Sequence, residues 1–433
     1  MTRSVSQRFL ANAGLAAALI APAAVAPVAL AEDKPLFREL EERLAPEYWE
    51  FYGNAEVETT FFLEDPHFAG QRRNNASIAL EPTIYAEWLD GDIQATFTPF
   101  ARLDRSDDDR THFDIRELKL DYSMGDWDAT IGIDTVFWGK AEANHLVDII
   151  NQTDSLEDID DEDSLGQPML RLSKLTEFGA FTAFWLPYFR ERPFPGERGR
   201  LRSGLVVDEN QTDVRSDGGK FAQSFALRYD GVFQEADIGL SLFHGVSRDP
   251  GFAPTDFVTT PTGPVPTALA PIYTRITQIG FDGQYTDGPT LYKAEAIFRE
   301  GQLNVNGVEE DYVAATGGIE HTLFGVFDNA DLGLILEYSY DSRGDDATNI
   351  FQNDVIVGAR LALNDEADSS LLLTSAIDHE HGVGSVRLEA QRRLSQGLVA
   401  EVEGNLFINS DDDPLGADFQ DDSFIRLKLT YFW

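Results

Sequence analysis

Leu332-Gly333-Leu334-Ile335-Leu336-Glu337-Tyr338-Ser339-Tyr340-Asp341 carries bulky apolar side chains at every second position, with Gly333, Ile335, Glu337, Ser339 and Asp341 between them. Side chains that alternate with a period of two stand on opposite faces of an extended strand. The pattern recurs along the chain. Ile93, Ala95, Phe97, Pro99, Ala101 and Leu103 oppose Gln94, Thr96, Thr98, Phe100, Arg102 and Asp104. Trp127, Ala129, Ile131 and Ile133 oppose Asp128, Thr130, Gly132 and Asp134, and Val386, Leu388 and Ala390 oppose Arg387, Glu389 and Gln391.

A soluble sandwich also alternates, so the connections decide. Strands are predicted at 54–64, 75–89, 92–104, 112–123, 127–138, 167–175, 178–190, 220–231, 235–248, 272–286, 290–301, 310–323, 329–342, 350–364, 367–378, 383–394, 397–410 and 420–433. Every second connection is tight, as at Asp90-Gly91, Gly125-Asp126, Thr176-Glu177 and Asp287-Gly288. The intervening ones are mostly longer and polar, above all 139–166 and 191–219. Tight turns at one end and long loops at the other define the expected fold class: all-β, a transmembrane antiparallel up-and-down β-barrel of about eighteen strands, sixteen being the alternative. Strand 112–123 changes phase between Ile115 and Leu118, which predicts a bulge.

The chain has 433 residues, 75 Asp+Glu against 34 Lys+Arg, a formal charge of −41 and no cysteine. Such a charge repels phosphate backbones, so nucleic acid is excluded as a partner. Without cysteine there is no disulfide frame and no thiolate nucleophile or ligand. Arg3 and Arg8, an apolar run from Leu10 to Ala26, and Ala29-Leu30-Ala31 form an expected signal peptide over 1–31. Residues 32–50 then form a short periplasmic segment, amphipathic and helical over 33–47, and 51–433 form the barrel. Beyond Glu32 no apolar run approaches the ~20 residues of a membrane helix.

Ile425, Leu427, Leu429, Tyr431 and Trp433 alternate to an aromatic end. This resembles the terminal strand of bacterial outer-membrane proteins, most of which end in Phe. The resemblance implies a Gram-negative outer membrane, lipid and lipopolysaccharide as surroundings, and the barrel-assembly machinery as a partner through that strand. The stretch Ile115-Arg116-Glu117-Leu118, Gly125-Asp126-Trp127, Gly132-Ile133-Asp134, Phe137-Trp138-Gly139-Lys140 and Val147 to Asp154 is similar to a region of uncharacterised proteobacterial porin-like families. There a strand ending in Trp-Gly leads into a loop with an Asn-x-x-Asp element. This chain has Asp134 where those relatives tend to carry a cation.

The third long connection, 139–166, carries Asp148, Asp154, Glu157, Asp158, Asp160, Asp161, Glu162 and Asp163, after a stretch from His145 to Ile150 apolar enough to pack on a wall. Loop 191–219, with the strand end before it, brings Arg190, Arg192, Arg198, Arg200 and Arg202 together. An acidic loop facing arginines sets a field across a watery gap, so these thirteen residues are the expected constriction. Parity makes Arg102, Glu117, Asp134, Arg228, Glu337, Arg387, Glu389 and Arg426 lumen-facing. Asp378-His379-Glu380-His381 has metal-ligand types on an exposed turn, yet lacks a distant third ligand, and no Ser–His pair shares an inward face. Catalytic residues, metals and cofactors are therefore not expected, and the chain is not expected to be an enzyme. The expected function is a channel for small hydrophilic solutes, with homo-oligomers compatible; a barrel enzyme or an adhesin is the alternative.

Overall fold

The computed structural model describes residues 45–158, 162–409 and 416–433; the expected signal peptide and nearly all of segment 33–47 lie outside these. Residues Glu47–Trp433 form one compact unit. Its frame is eighteen strands: β1 Tyr48–Phe62, β2 Asn74–Trp88, β3 Ile93–Asp104, β4 His112–Met124, β5 Trp127–Asp134, β6 Gln167–Thr176, β7 Gly179–Leu186, β8 Ser224–Phe233 and β9 Ala236–Val246. The second half comprises β10 Arg275–Asp287, β11 Thr290–Leu303, β12 Glu309–Val326, β13 Ala330–Asp341, β14 Asn353–Ala362, β15 Ser370–Asp378, β16 Gly384–Ser395, β17 Leu398–Ile408 and β18 Phe424–Phe432.

Each strand pairs antiparallel with the next, and β1 pairs with β18 from Asn54 opposite Phe432 to Phe62 opposite Phe424. That last pairing closes the sheet, leaving no edge in the ring. Alternation sorts the two faces as the sequence implies. Leu334, Leu336, Leu388 and Leu427 point out and are exposed, while Glu337 and Arg426 point in and are 2% and 3% exposed. Exposed aromatics mark both ends of the outer face: Trp127, Phe181, Tyr285, Tyr292 and Tyr431 near the short turns, and Phe61, Phe113, Trp185, Phe298 and Tyr340 near the long loops.

The expected bulge is in β4. Thr98 pairs with Glu117 and Pro99 with Ile115, leaving Arg116 as the extra residue. Arg116 and Glu117 are thereby both turned inward, with Arg116 over the Phe100 ring at 4.4 Å and Glu117 accepting from Thr98 at 3.3 Å. Several boundaries differ from expectation: β1 begins at Tyr48, six residues earlier than expected, and β8 and β18 each begin four residues later. β5 stops at Asp134 rather than 138, because the chain leaves the sheet and Trp138 is buried inside. β7 stops at Leu186 because Pro187 has no N–H for a ladder. The connection after β9 holds a hairpin, Gly251–Thr260 with Gly263–Tyr273, that five intervening prolines hide from a strand search.

Candidate functional site

The segment between β5 and β6 runs into the lumen. Leu146, Val147, Ile149 and Ile150 are buried at 7%, 0%, 2% and 0% exposure, packed with Trp138 against inward-facing Met169, Phe184, Ala226, Phe243, Ile276 and Ile297. Burying such side chains is worth about 2 kcal/mol each before ordering costs. A β-barrel interior offers an oily patch only where inward positions are apolar, and β6 to β11 supply them.

Polar contacts fix the register of this arm. The carboxylate of Glu295 on β11 accepts backbone N–H bonds from Lys140 at 2.6 Å, Ala141 at 2.8 Å and Val147 at 3.3 Å. Glu337 on β13 accepts the N–H of Glu142 at 2.9 and 3.0 Å. Gly139 permits this approach: its φ is +150°, and a Cβ there would sit 3.0 Å from His145 Nδ1 and 3.1 Å from Glu295 Oε1. Asp148 is half-buried beside Glu295 and Arg228. Burial pushes its pKa up to about 7; the Trp138 N–H at 3.4 Å opposes that, the Glu295 charge adds to it, and Arg228 opposes it.

The acidic arm meets the opposite arc of the ring. Glu157 receives Arg102 Nε at 2.9 Å on both oxygens, and Arg110 donates to the Leu156 carbonyl at 2.6 Å and to Glu58 at 2.7 Å. Asp154 meets Arg116 at 2.7 Å, and Asp158 pairs with Arg426, which also holds Glu403 at 3.0 Å. The backbone N–H of Asp154 donates to the Asp163 carbonyl at 2.7 Å, and Glu162 lies on the outer cavity. Asp160 and Asp161 lie outside the described residues.

The five arginines of 190–202 are divided. Arg190 binds Asp114 at 2.8 Å, and Arg192 lies 3.3 Å from Thr153 Oγ1 and 3.4 Å from Asp249. Arg198 pairs with Asp108, Arg200 with Asp422 at 2.5 Å, and Arg202 donates to the carbonyls of Ser203 and Glu197 at 2.7 and 3.2 Å. Among the described residues, Arg190 and Arg192 reach the neighbourhood of the acidic loop, while the partners just named for the other three lie in other outer connections. On the wall, Asp134 meets Lys119 at 2.7 Å and Arg171 at 3.1 Å, Arg228 holds Asp282 at 2.9 Å, and Arg387 meets Glu389 at 2.6 Å.

Sequence reasoning missed Glu295, Arg110 and His112 as loop partners. Parity marks Glu295 as inward, between Ala294 and Ala296, but nothing local says which inward residue a distant loop will touch. Two cavities flank the inserted segment. The one toward the long loops, of ≈ 890 Å³, is lined by residues between Glu142 and Ser164 of the segment and, among the described residues, by twelve Arg and twelve Asp or Glu side chains. The one toward the tight turns, of ≈ 590 Å³, is lined by Val136 to Lys140, Asp121, Asp128, Arg171, Arg228 and Asp230. Among the described residues, His112, Asp154 and Glu157 group as metal-ligand types.

No protein-family model and no curated protein matches the chain. Among solved structures it is similar to variants of the Rhodopseudomonas blastica porin. Two triple mutants each align over 89% of this chain and 100% of their own, at 10% identity and a TM-score of 0.42.

Proposed function

We propose that this chain is an outer-membrane channel for passive diffusion of small hydrophilic solutes, narrowed by segment 139–163. The observation that carries the reading is a charged, hydrogen-bonded segment docked on opposite arcs of an eighteen-strand ring, with a cavity on either side. Rings of this size enclose water rather than a packed core. An apolar exterior bounded by two aromatic bands suits a bilayer with interfaces at both ends. On this reading Asp148, Asp154, Glu157 and Asp158 line or brace the narrowest level, against Arg102, Arg110, Arg116 and Arg426. Its charged groups are held by partners, so solutes meet fixed dipoles that favour polar over apolar molecules. Recognition of the terminal strand by assembly machinery, contact with lipopolysaccharide, and self-association through the outer face belong to the same proposal.

The test is bilayer conductance of the purified, refolded chain. Discrete steps are expected, larger for a chain lacking 155–164, with block by permeant polar solutes. Folded protein that inserts and gives no conductance would overturn the channel; a deletion that folds and conducts like the parent would remove the segment from the permeation path.

A further inference from the structure

His112, the first residue of β4, faces the inserted segment from the wall. Its Nδ1 is 3.0 Å from the Arg110 carbonyl oxygen. A carbonyl only accepts, so Nδ1 carries the proton and Nε2 of the neutral ring presents a lone pair. That lone pair faces anions: Nε2 is 3.9 Å from Asp154 Oδ2 and 3.7 Å from Glu157 Oε1. It makes no hydrogen bond among the described residues. Three electron-pair donors thus converge within 4.8 Å of one another, Asp154 and Glu157 being buried.

The charge around them is short of cations. Arg102 and Arg110 are ion-paired with Glu56, Glu58, Asp104 and Glu157, and Arg116 and Arg190 form a second set with Asp114 and Asp154; His112 stands between the two. Among these described side chains the second set is balanced and the first carries two positive charges against four negative ones, so a doubly charged cation at Glu157, where the two sets meet, offsets the excess. Burial makes that balance count, because unpaired charge away from water is costly.

We propose that His112 Nε2, Asp154 Oδ2 and Glu157 Oε1 bind one divalent transition-metal ion of the zinc class, tying the inserted segment to β4. One imidazole nitrogen and two carboxylate oxygens suit zinc, whereas calcium takes six or more oxygens. The Nδ1–H bond to a carbonyl is the partner that orients a metal-ligating histidine. Ligands on tetrahedral zinc lie about 3.3 Å apart for bonds of about 2.0 Å, so the two distances from Nε2 need to close by about half an ångström and the two carboxylate oxygens, within 4.8 Å of each other, by up to about 1.5 Å. Arg102 and Arg116 keep their contacts, since a carboxylate oxygen has more than one lone pair. The site is read by binding and does not depend on whether the barrel conducts.

The experiment uses the refolded full chain, stripped with chelator, in a His379→Ala/His381→Ala background that removes the exposed pair. Zinc is titrated calorimetrically and cobalt(II) by its visible bands. One ion per chain is expected, with Kd at or below about 10 µM. His112→Ala and Glu157→Gln should each weaken binding by on the order of 100-fold, with tetrahedral cobalt bands lost. His112→Gln serves if the alanine variant fails to fold. Absence of stoichiometric binding, or binding that survives both His112 variants, overturns the proposal. So does a His112 ring resonance that moves with acid but not with zinc, which would mark a proton site.

Discussion

Asp148 is a carboxylate placed where ionising is expensive, and its effect on docking has a definite sign. The native chain keeps its proton up to about pH 7, whereas an unfolded or undocked Asp releases it near 3.8. Between those values the docked state binds the extra proton, so its stability is full at low pH and declines as pH rises through about 7. Asp148→Asn should remove that decline. A cysteine introduced at Ile149, in a chain without native cysteine, reports it. Relative to the Asp148→Asn chain at the same pH, labelling should already be faster at pH 5, above the ordinary carboxylate value, with a larger excess at pH 9; equal rates at both would contradict the assignment. Glu295 makes the complementary case. Glu295→Ala withdraws a charged acceptor from three backbone N–H groups, contacts worth about 1.5–3 kcal/mol each, and should raise single-channel conductance and noise. Quiet, parental conductance would show that the apolar contacts alone hold the arm.

At the scale of elements, the β4 bulge turns a periodicity error into a docking point. The phase change between Ile115 and Leu118 is visible in the sequence, but its consequence, an inward Arg116 opposite Asp154, is not. Arg116→Met keeps volume and removes the charge, leaving a fully buried carboxylate short of its partner at 2.7 Å. Loss of about 3–5 kcal/mol is expected, read as a lowered denaturant midpoint for refolded protein. An unchanged midpoint would mean that Asp154 finds Arg190 or water instead. Strand faces are tested on β16, where Arg387→Cys and Glu389→Cys should react with a water-soluble thiol reagent in membranes and Leu388→Cys should not. Equal labelling would sink the barrel assignment. Elements whose side chains alternate were legible to within a few residues. The 251–273 hairpin was not, because prolines and threonines stand where a strand search asks for branched apolar residues.

For the whole molecule, charge is distributed unevenly. The chain carries −41, yet among the described residues the larger cavity is lined by equal numbers of Arg and acidic side chains. Cation preference should therefore come from the outer loops rather than the lumen. It should be modest at low salt and vanish toward 1 M, where fields reach only about 3 Å. Reversal potentials across a salt gradient measure this. Anion preference at low salt would place the selective element among Arg192, Arg248, Arg299 and Arg343 on the cavity wall.

The ring was legible in the sequence: the inward and outward faces, the ends bearing turns and loops, and the stretch from Leu146 to Ile150 apolar enough to pack on a wall, with eighteen strands read against sixteen as the alternative. These follow from a period of two and from turn chemistry, which act between near neighbours. Which inward groups meet the loop is set by long-range closure. Glu295 lies more than 140 residues beyond the backbone it holds, and Arg426 reaches Asp158 only because β18 closes on β1. Such contacts depend on ring closure and on the depth to which the segment descends, and neither leaves a local pattern. The same reason gives Arg198 and Arg200 partners on other connections among the described residues. Closeness in sequence gathers charges, but the competing carboxylates Asp108 and Asp422 that claim two of them come from connections on other strands.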